Sequence, residues 1–506
     1  MQSFATLEKT TQLQDADKIT AAIAEKCSQL LKIYHKDSAE NLNYLESIFN
    51  NFENSNQHAT EKLSLYIKNI TEAISPNNLL LSNQELLQAN IEDNGTKLLH
   101  GFNDFLADLI NNNGHLSTTI TDSDTFNVGK NLAITPGKII YQNELIQLIQ
   151  YTPTTPRVYE KPILFIPPWI NKYYILDLTP EKSLVKWLVA QGFTVFMISW
   201  VNPDEKLAAK TWEHYLFEGP MAALDVITKN TSCQSVHLVG YCIGGTLLAC
   251  MLAYMQHKND NRAASGSYFN ALLDFSVPGE LGAFIDNNQL AILNHIMDKH
   301  GYLDGKLLDI AFHMLRPNDL IWPYFINNYL LGQKPIAFDL LAWNANSTNL
   351  PQNMANFYLQ NMYLNNLLKT PGGITINNVP IELNKISIPI LFVGAEKDHI
   401  APWKSTYAGV HLHGGKVTFV LSEPGHIVGI INPPEKNKYG FKTNQHIYHT
   451  PEQWLQASTR HAGSWWPFWK QWLISECSQQ IPVKKRQISK ASIIENAPGA
   501  YALKRI

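Results

Sequence analysis

In "HLVGYCIGGT", His237 to Thr246, an apolar, β-branched run leads into Gly240-x-Cys242-x-Gly244. A nucleophile raised on a tight strand-to-helix turn needs small residues on either side, and Gly240 and Gly244 supply them. Gly245 then lets the next helix approach the sheet. The helix predicted over "IGGTLLACMLAYMQ" aims its N-terminus at the thiol. There its dipole and the free N–H of Ile243 would stabilise a thiolate and later an oxyanion. Two further groups complete the set: Asp398 in "GAEKDHIAPW", just past one buried run, and His426 in "SEPGHIVGIINPP", just past the next. Thiol, imidazole and carboxylate together transfer acyl groups through a covalent cysteine thioester. Among the other histidines, His237 lies inside a strand pattern and reads as a satisfied core residue. His399 adjoins the acid and fits either a hydrogen-bonding role at the pocket rim or a catalytic one. Cys250, eight residues along the same helix from Cys242, fits buried packing.

These groups need a scaffold that brings distant strand ends together. Five short runs supply it: "PILFIPP" (162–168), "FTVFMISW" (193–200), "SVHLVG" (235–240), "PILFVGAEKD" (389–398) and "KVTFVLSEPGH" (416–426). Unbroken apolar, β-branched runs indicate strands buried on both faces, hence a parallel sheet covered by helices. Each ends in residues suited to functional loops at the carboxyl edge. The chain order nucleophile, acid, histidine is that of α/β hydrolases. From about 275 to 380 the rhythm breaks into aromatic-rich helical stretches, "LRPNDLIWPYFINNYLLG" and "FDLLAWNANSTNLP", predicting a cap inserted between strands. Residues 1 to about 140 show helical spacing without strand signals, as in "IAEKCSQLLKIYHK" and "TKLLHGFNDFLADLI", broken by Asn-rich joints such as "NNFENSNQ". The expected fold is therefore α/β: an α/β-hydrolase domain over 141–506 with a cap, behind a helical N-terminal domain over 1–140. That first domain fits either a functional role or an extension serving only stability or assembly.

Composition agrees with an ordinary folded protein: 506 residues, 45% apolar, 16% charged, with a formal net charge of −3. The near-neutral balance gives no electrostatic reason to expect nucleic acid. Five scattered cysteines without a C-x-x-C pair disfavour both a disulfide framework and a zinc site, so no metal is expected. The N-terminus lacks a signal-peptide layout, and no run approaches the ~18 apolar residues of a membrane span. The expected location is cytoplasmic.

The motifs also carry a family resemblance. "PPWINKYYILDL" (167–178), "GYCIGGT", "LLDF", "LRPNDLIW" (315–322), "LLAWN…TNLP", "KDHIAPW", "GHIVGIINPP" and "GSWWPFW" (463–469), in this order, resemble those of class I polyhydroxyalkanoate synthases. The likeness runs from "VGKNLAITPGKIIYQNELIQLIQY" to the C-terminus. It implies an acyltransferase that polymerises (R)-3-hydroxyacyl groups from coenzyme A thioesters, as in poly-3-hydroxybutyrate synthesis, and releases CoA. Cys242 would carry the acyl chain, with Asp398 and His426 completing the triad. No cofactor is implied, since the CoA thioester is the substrate. Implied partners are the growing polyester chain, the surface of a polyester granule and a second copy of the chain in a homodimer. The N-terminal region looks shorter than in many members, which leaves its family roles in dimerisation and granule contact open.

A thioester donor explains the thiol. Transfer to cysteine exchanges one thioester for another at little free-energy cost, whereas a serine ester would be a poorer donor to the next hydroxyl. The loop "PPWINK" follows an early buried strand, where this fold places a second oxyanion donor, and it equally reads as a rigid Pro-Pro turn. Polymerisation also requires that water be kept from the acyl-enzyme, a task for a capped, aromatic-lined pocket. The tryptophans at 465, 466, 469 and 472 fit either core packing or a substrate channel. Arg316 fits either a CoA phosphate or a nearby carboxylate. Two rivals share parts of this pattern: an intracellular polyester depolymerase or thioesterase of the same fold, and a non-catalytic granule-coating protein.

Overall fold

The buried apolar runs form one large twisted sheet. In chain order its strands are β1 (Gly137–Gln142), β2 (Ile146–Tyr151), β3 (Ile163–Ile166), β4 (Val195–Trp200), β5 (Val236–Tyr241), β6 (Ala263–Phe269), β7 (Ile390–Ala395), β8 (Val417–Ser422), β9 (Gly440–Thr443), β10 (Thr459–Ala462) and β11 (Glu495–Asn496). They lie side by side as β10-β9-β8-β7-β6-β5-β3-β4-β2-β1-β11. This computed structural model describes residues 57–111, 118–121, 125–486 and 489–504. The five runs singled out from sequence are β3, β4, β5, β7 and β8, and with β6 they are mutually parallel. The edges differ: β1, β2, β9, β10 and β11 pair antiparallel. The centre is an α/β-hydrolase sheet, with strands 3 and 4 exchanged in space and the second strand reversed.

Strand β6 carries no long apolar run, since it reads "AASGSYF", yet it sits at the centre of the sheet. Small residues are required there. A Cβ on Gly266 would come within 2.7 Å of Ile390 and 2.9 Å of Leu252. Ser267 accepts a hydrogen bond from the Trp469 indole at 3.0 Å, and Ser265 pairs with Nδ1 of His237 at 2.7 Å. His237 is thus a satisfied core residue, and burial holds it neutral with a pKa lowered to about 3.

The chain divides into two compact units, Met1–Asp122 with Phe312–Ile336, and Ser123–Ala311 with Ala337–Ile506. In the first, the helices Gln57–Ala73, Gln84–Glu92 and Thr96–Asn111 include the stretch "TKLLHGFNDFLADLI". The stretch "IAEKCSQLLKIYHK" lies outside the described residues. Asn83 caps the second helix through the N–H groups of Glu85 and Leu86. Residues 312–336, which fall inside the segment predicted as a cap, belong to this unit. The Tyr329 hydroxyl donates to Asp108 at 2.6 Å, and the Asn90 amide donates to the Leu330 carbonyl at 2.9 Å. In the same unit Arg316 meets Asp319 at 3.8 Å, an exposed pair of small energetic weight.

In the second unit, residues 270–311 and 337–389 come between β6 and β7 in the chain, the position predicted for the cap. The "TNLP" motif there grips the loops after β3 and β4. The Thr348 N–H donates to the Ile170 carbonyl at 2.9 Å, its hydroxyl donates to the Trp169 carbonyl, and the Asn349 N–H donates to Asn202 at 2.9 Å.

Candidate active site

Strand β5 delivers Cys242 immediately past its last residue, at the N-cap of the helix Ile243–His257. Its backbone has φ +52° and ψ −126°, a conformation that L-residues rarely adopt. The surrounding glycines explain how the turn is tolerated. A Cβ on Gly240 would lie 2.5 Å from the Gly245 Cα, and one on Gly244 would lie 2.1 Å from the Ile166 carbonyl oxygen. The Cys242 N–H donates to the Phe269 carbonyl at 2.9 Å, while the Gly245 N–H returns to the Cys242 carbonyl at 2.8 Å. Ile243, directly after Cys242, opens the helix, so its N–H has no intrahelical acceptor. Cys250 is fully buried on the same helix, and burial pushes its thiol up to about 12.

Asp398 follows β7 and His426 follows β8, and the structure brings them together. His426 Nδ1 lies 2.6 Å from Asp398 Oδ2. The other carboxylate oxygen accepts the N–H groups of Ile400 at 2.9 Å and Ala401 at 2.8 Å, which fixes the acid's orientation. The Cys242 thiol lies within electrostatic reach of the imidazole. Burial disfavours the imidazolium, but the charges of Asp398 and then Cys242 outweigh it, and the His426 pKa is pushed up to about 10. The His399 carbonyl accepts the Glu280 N–H at 3.2 Å.

Several contributors carried no signal strong enough to be singled out from sequence. Tyr241, the last residue of β5, stacks on the His426 ring at 5.5 Å between centroids and donates its hydroxyl to the His426 carbonyl at 3.1 Å. Asn270 donates its amide to the same carbonyl at 2.7 Å. Tyr358 and Tyr363, from the segment between β6 and β7, pack edge to face at 5.4 Å, Tyr358 stacks on Trp212 at 5.6 Å, and Tyr363 meets Phe275 at 5.0 Å. Burial first, then the charge of Cys242, raises the Tyr363 hydroxyl well above the ordinary phenol range. Tyr358 and Tyr363 therefore lie within electrostatic reach of the thiol. A π-turn at Leu359–Leu364 carries Tyr363, an irregularity frequent at functional sites and hard to foresee from spacing.

The tryptophans of "GSWWPFW" serve the histidine loop from below. The indoles of Trp465 and Trp466 donate to the carbonyls of Gly429 and Ile430, each at 2.8 Å, and both rings are fully buried. Core packing is the role the structure gives them. Among the described residues, no group of three or more His, Cys, Asp or Glu side chains could hold a metal ion.

Residues 26–188 match the family model for the poly-beta-hydroxybutyrate polymerase (PhaC) N-terminus, and residues 161–433 match the alpha/beta hydrolase fold. A poly(3-hydroxyalkanoate) polymerase of Methylorubrum extorquens is 40% identical over 514 residues, covering 99% of this chain and 85% of the relative. The chain belongs to the poly(3-hydroxyalkanoate) polymerase family. Within that family, the polymerase subunit PhaC of Rhizobium etli is 42% identical over 91% of this chain and 72% of its own length. That of Cupriavidus necator is 39% identical over 87% of this chain and 75% of its own length. As a polymerase-family chain, this protein places a thiol, rather than a hydroxyl, on the elbow of a hydrolase sheet.

Proposed function

We propose that this protein polymerises (R)-3-hydroxyacyl groups from coenzyme A thioesters into a polyhydroxyalkanoate through acyl-Cys242. The observation that carries the proposal is the elbow thiol partnered by His426, which is itself held by Asp398, in a chain of this family. The Cys242 thiolate attacks the thioester carbonyl, and the oxyanion is held by the Ile243 N–H and a donor from the loop after Pro168. The C–S bond to CoA breaks, and the CoA thiolate takes the proton from the His426 imidazolium. A 3-hydroxyl of a second donor then gives its proton to His426 and attacks the acyl-cysteine carbonyl, freeing the thiolate. The lengthened chain, still a CoA thioester, returns to Cys242, so each cycle forms one ester and releases one CoA.

Water would compete with the 3-hydroxyl at this step. The buried cluster of Phe275, Tyr358, Tyr363 and Trp212, whose two tyrosines lie within electrostatic reach of the thiol, supports exclusion of water by desolvation and positioning. Family membership favours polymerisation over the depolymerase or thioesterase alternative.

The class I type is the finer part of the proposal. It carries a preference for short donors, 3-hydroxybutyryl-CoA or 3-hydroxyvaleryl-CoA, action as a homodimer, and a working place in the cytoplasm on the polyester granule surface. No helix of the described residues is long and apolar enough to cross a membrane. Purified protein incubated with 3-hydroxybutyryl-CoA should release free thiol and yield high-mass polyester. Thiol release with only free 3-hydroxybutyrate as product would refute polymerisation.

A further inference from the structure

We infer that Asn270, assisted by Tyr241, is a positioning residue that sets the His426 imidazole against the Cys242 thiol by clamping the His426 main-chain carbonyl. The inference rests on the proposed function only in taking Cys242 and His426 as nucleophile and base.

His426 sits in a loop, four residues past the end of β8. Its bond to Asp398 fixes one ring nitrogen, but a ring held at one nitrogen can still swing about that contact. Where the other nitrogen points depends on the backbone that carries the ring. That backbone is held at its carbonyl by two side chains, the Asn270 amide at 2.7 Å and the Tyr241 hydroxyl at 3.1 Å.

Both donors are tied to the elbow itself. Tyr241 precedes Cys242 directly. Asn270 directly follows Phe269, whose carbonyl takes the Cys242 N–H at 2.9 Å, and Tyr241 and Phe269 are register partners across β5 and β6. The Asn270 N–H donates to the Val393 carbonyl of β7, the strand that leads to Asp398, at 2.8 Å. One fully buried residue thus links the strands that present all three members of the triad.

The residue type fits the task. Asn270 has φ +43°, a left-handed conformation that asparagine tolerates better than most residues with a side chain. Its amide supplies the donor that a carbonyl needs, which an isosteric aspartate could not. The titratable groups around the imidazole are Asp398 on the β7 loop, Cys242 on the elbow and Tyr241 on β5, with Tyr358 and Tyr363 beside the thiol.

The test is the pH profile of Cys242 alkylation by iodoacetamide, read on the Cys242 peptide by mass spectrometry in the full-length chain. Asn270→Gly keeps the left-handed backbone without strain and removes the amide; Asn270→Asp keeps the shape and removes the donor; Tyr241→Phe removes the weaker donor and keeps the ring. For Asn270→Gly and Asn270→Asp, alkylation at pH 7 should slow about tenfold, the scale of one lost hydrogen bond, with the profile displaced to higher pH. Tyr241→Phe should move the profile the same way by less. Profiles that superimpose on the wild type, even with a lowered melting temperature, would make the contacts merely structural and overturn the inference. Should the Asn270 variants fail to fold, the Tyr241→Phe profile decides alone: displacement supports the clamp and superposition overturns it. Iodoacetamide needs no acyl-CoA, so failure of the polymerase proposal would show separately, as absent CoA release by the wild type.

Discussion

At the scale of single residues, the proposed chemistry requires of Cys242 a thiol that is both a good acceptor and a good donor of acyl groups. Cys242→Ala should abolish CoA release, because the acyl chain is proposed to pass through this thiol; a free-thiol assay decides this. Cys242→Ser should lose polymerisation and retain at most slow acylation or hydrolysis. The imidazole gives a second prediction. With its pKa pushed up to about 10 by Asp398 and Cys242 against burial, His426 should remain protonated through neutral pH in the resting enzyme. Because this folded-state value lies above the ordinary 6.5, the stabilisation from the charged contact is complete below about 6.5 and is lost as pH rises through about 10. In Asp398→Asn the titration should move down by about 1–3 units, measured by NMR of the imidazole. The grouping of Cys242, Asp398 and His426 at neighbouring strand ends was legible in the sequence, because each lies shortly past a buried run and the glycines mark the turn. Asn270 was not. Its neighbours "SYFNALLDF" show no polar pattern, and its role exists only where four strand ends meet.

At the scale of elements, the elbow is a packing problem as much as a catalytic one. The helix Ile243–His257 approaches β3 so closely at Gly244 that a methyl group there would collide with backbone, which cannot rotate away. Gly244→Ala should therefore destabilise the fold by about 1–3 kcal/mol and also depress acylation, since the Ile243 N–H moves with the helix. Chemical denaturation and burst acylation, measured together, check this; normal burst kinetics in a stable variant would show that the close approach is dispensable. The parallel core was legible because β3, β4, β5, β7 and β8 are written in unbroken apolar residues. Strand β6 was hidden by its Ala, Ser and Gly content, which close packing demands. The antiparallel edge strands escaped singling out because they are short or mixed in polarity, as in "TRHA" of β10. The π-turn that carries Tyr363 breaks helical spacing, so periodicity could not place that side chain near the thiol.

At the scale of the whole molecule, sequence texture placed one boundary near residue 140, whereas contacts divide the chain after Asp122 and add Phe312–Ile336 to the first unit. Local texture cannot reveal that helices more than two hundred residues apart, such as those holding Asp108 and Tyr329, share one small core. The homodimer proposal belongs at this scale. Light scattering during turnover of 3-hydroxybutyryl-CoA should give twice the chain mass, and a species that stays monomeric throughout turnover would contradict it. The central claim, that the polyester grows on Cys242, is tested most directly by intact-protein mass spectrometry after a brief pulse of 3-hydroxybutyryl-CoA, with peptide mapping of the adduct. The account predicts a ladder of adducts spaced by one hydroxybutyryl unit, confined to the Cys242 peptide, accompanied by free CoA. Polymer formation with Cys242 unmodified, or a single adduct that turns over only to free acid, would contradict it.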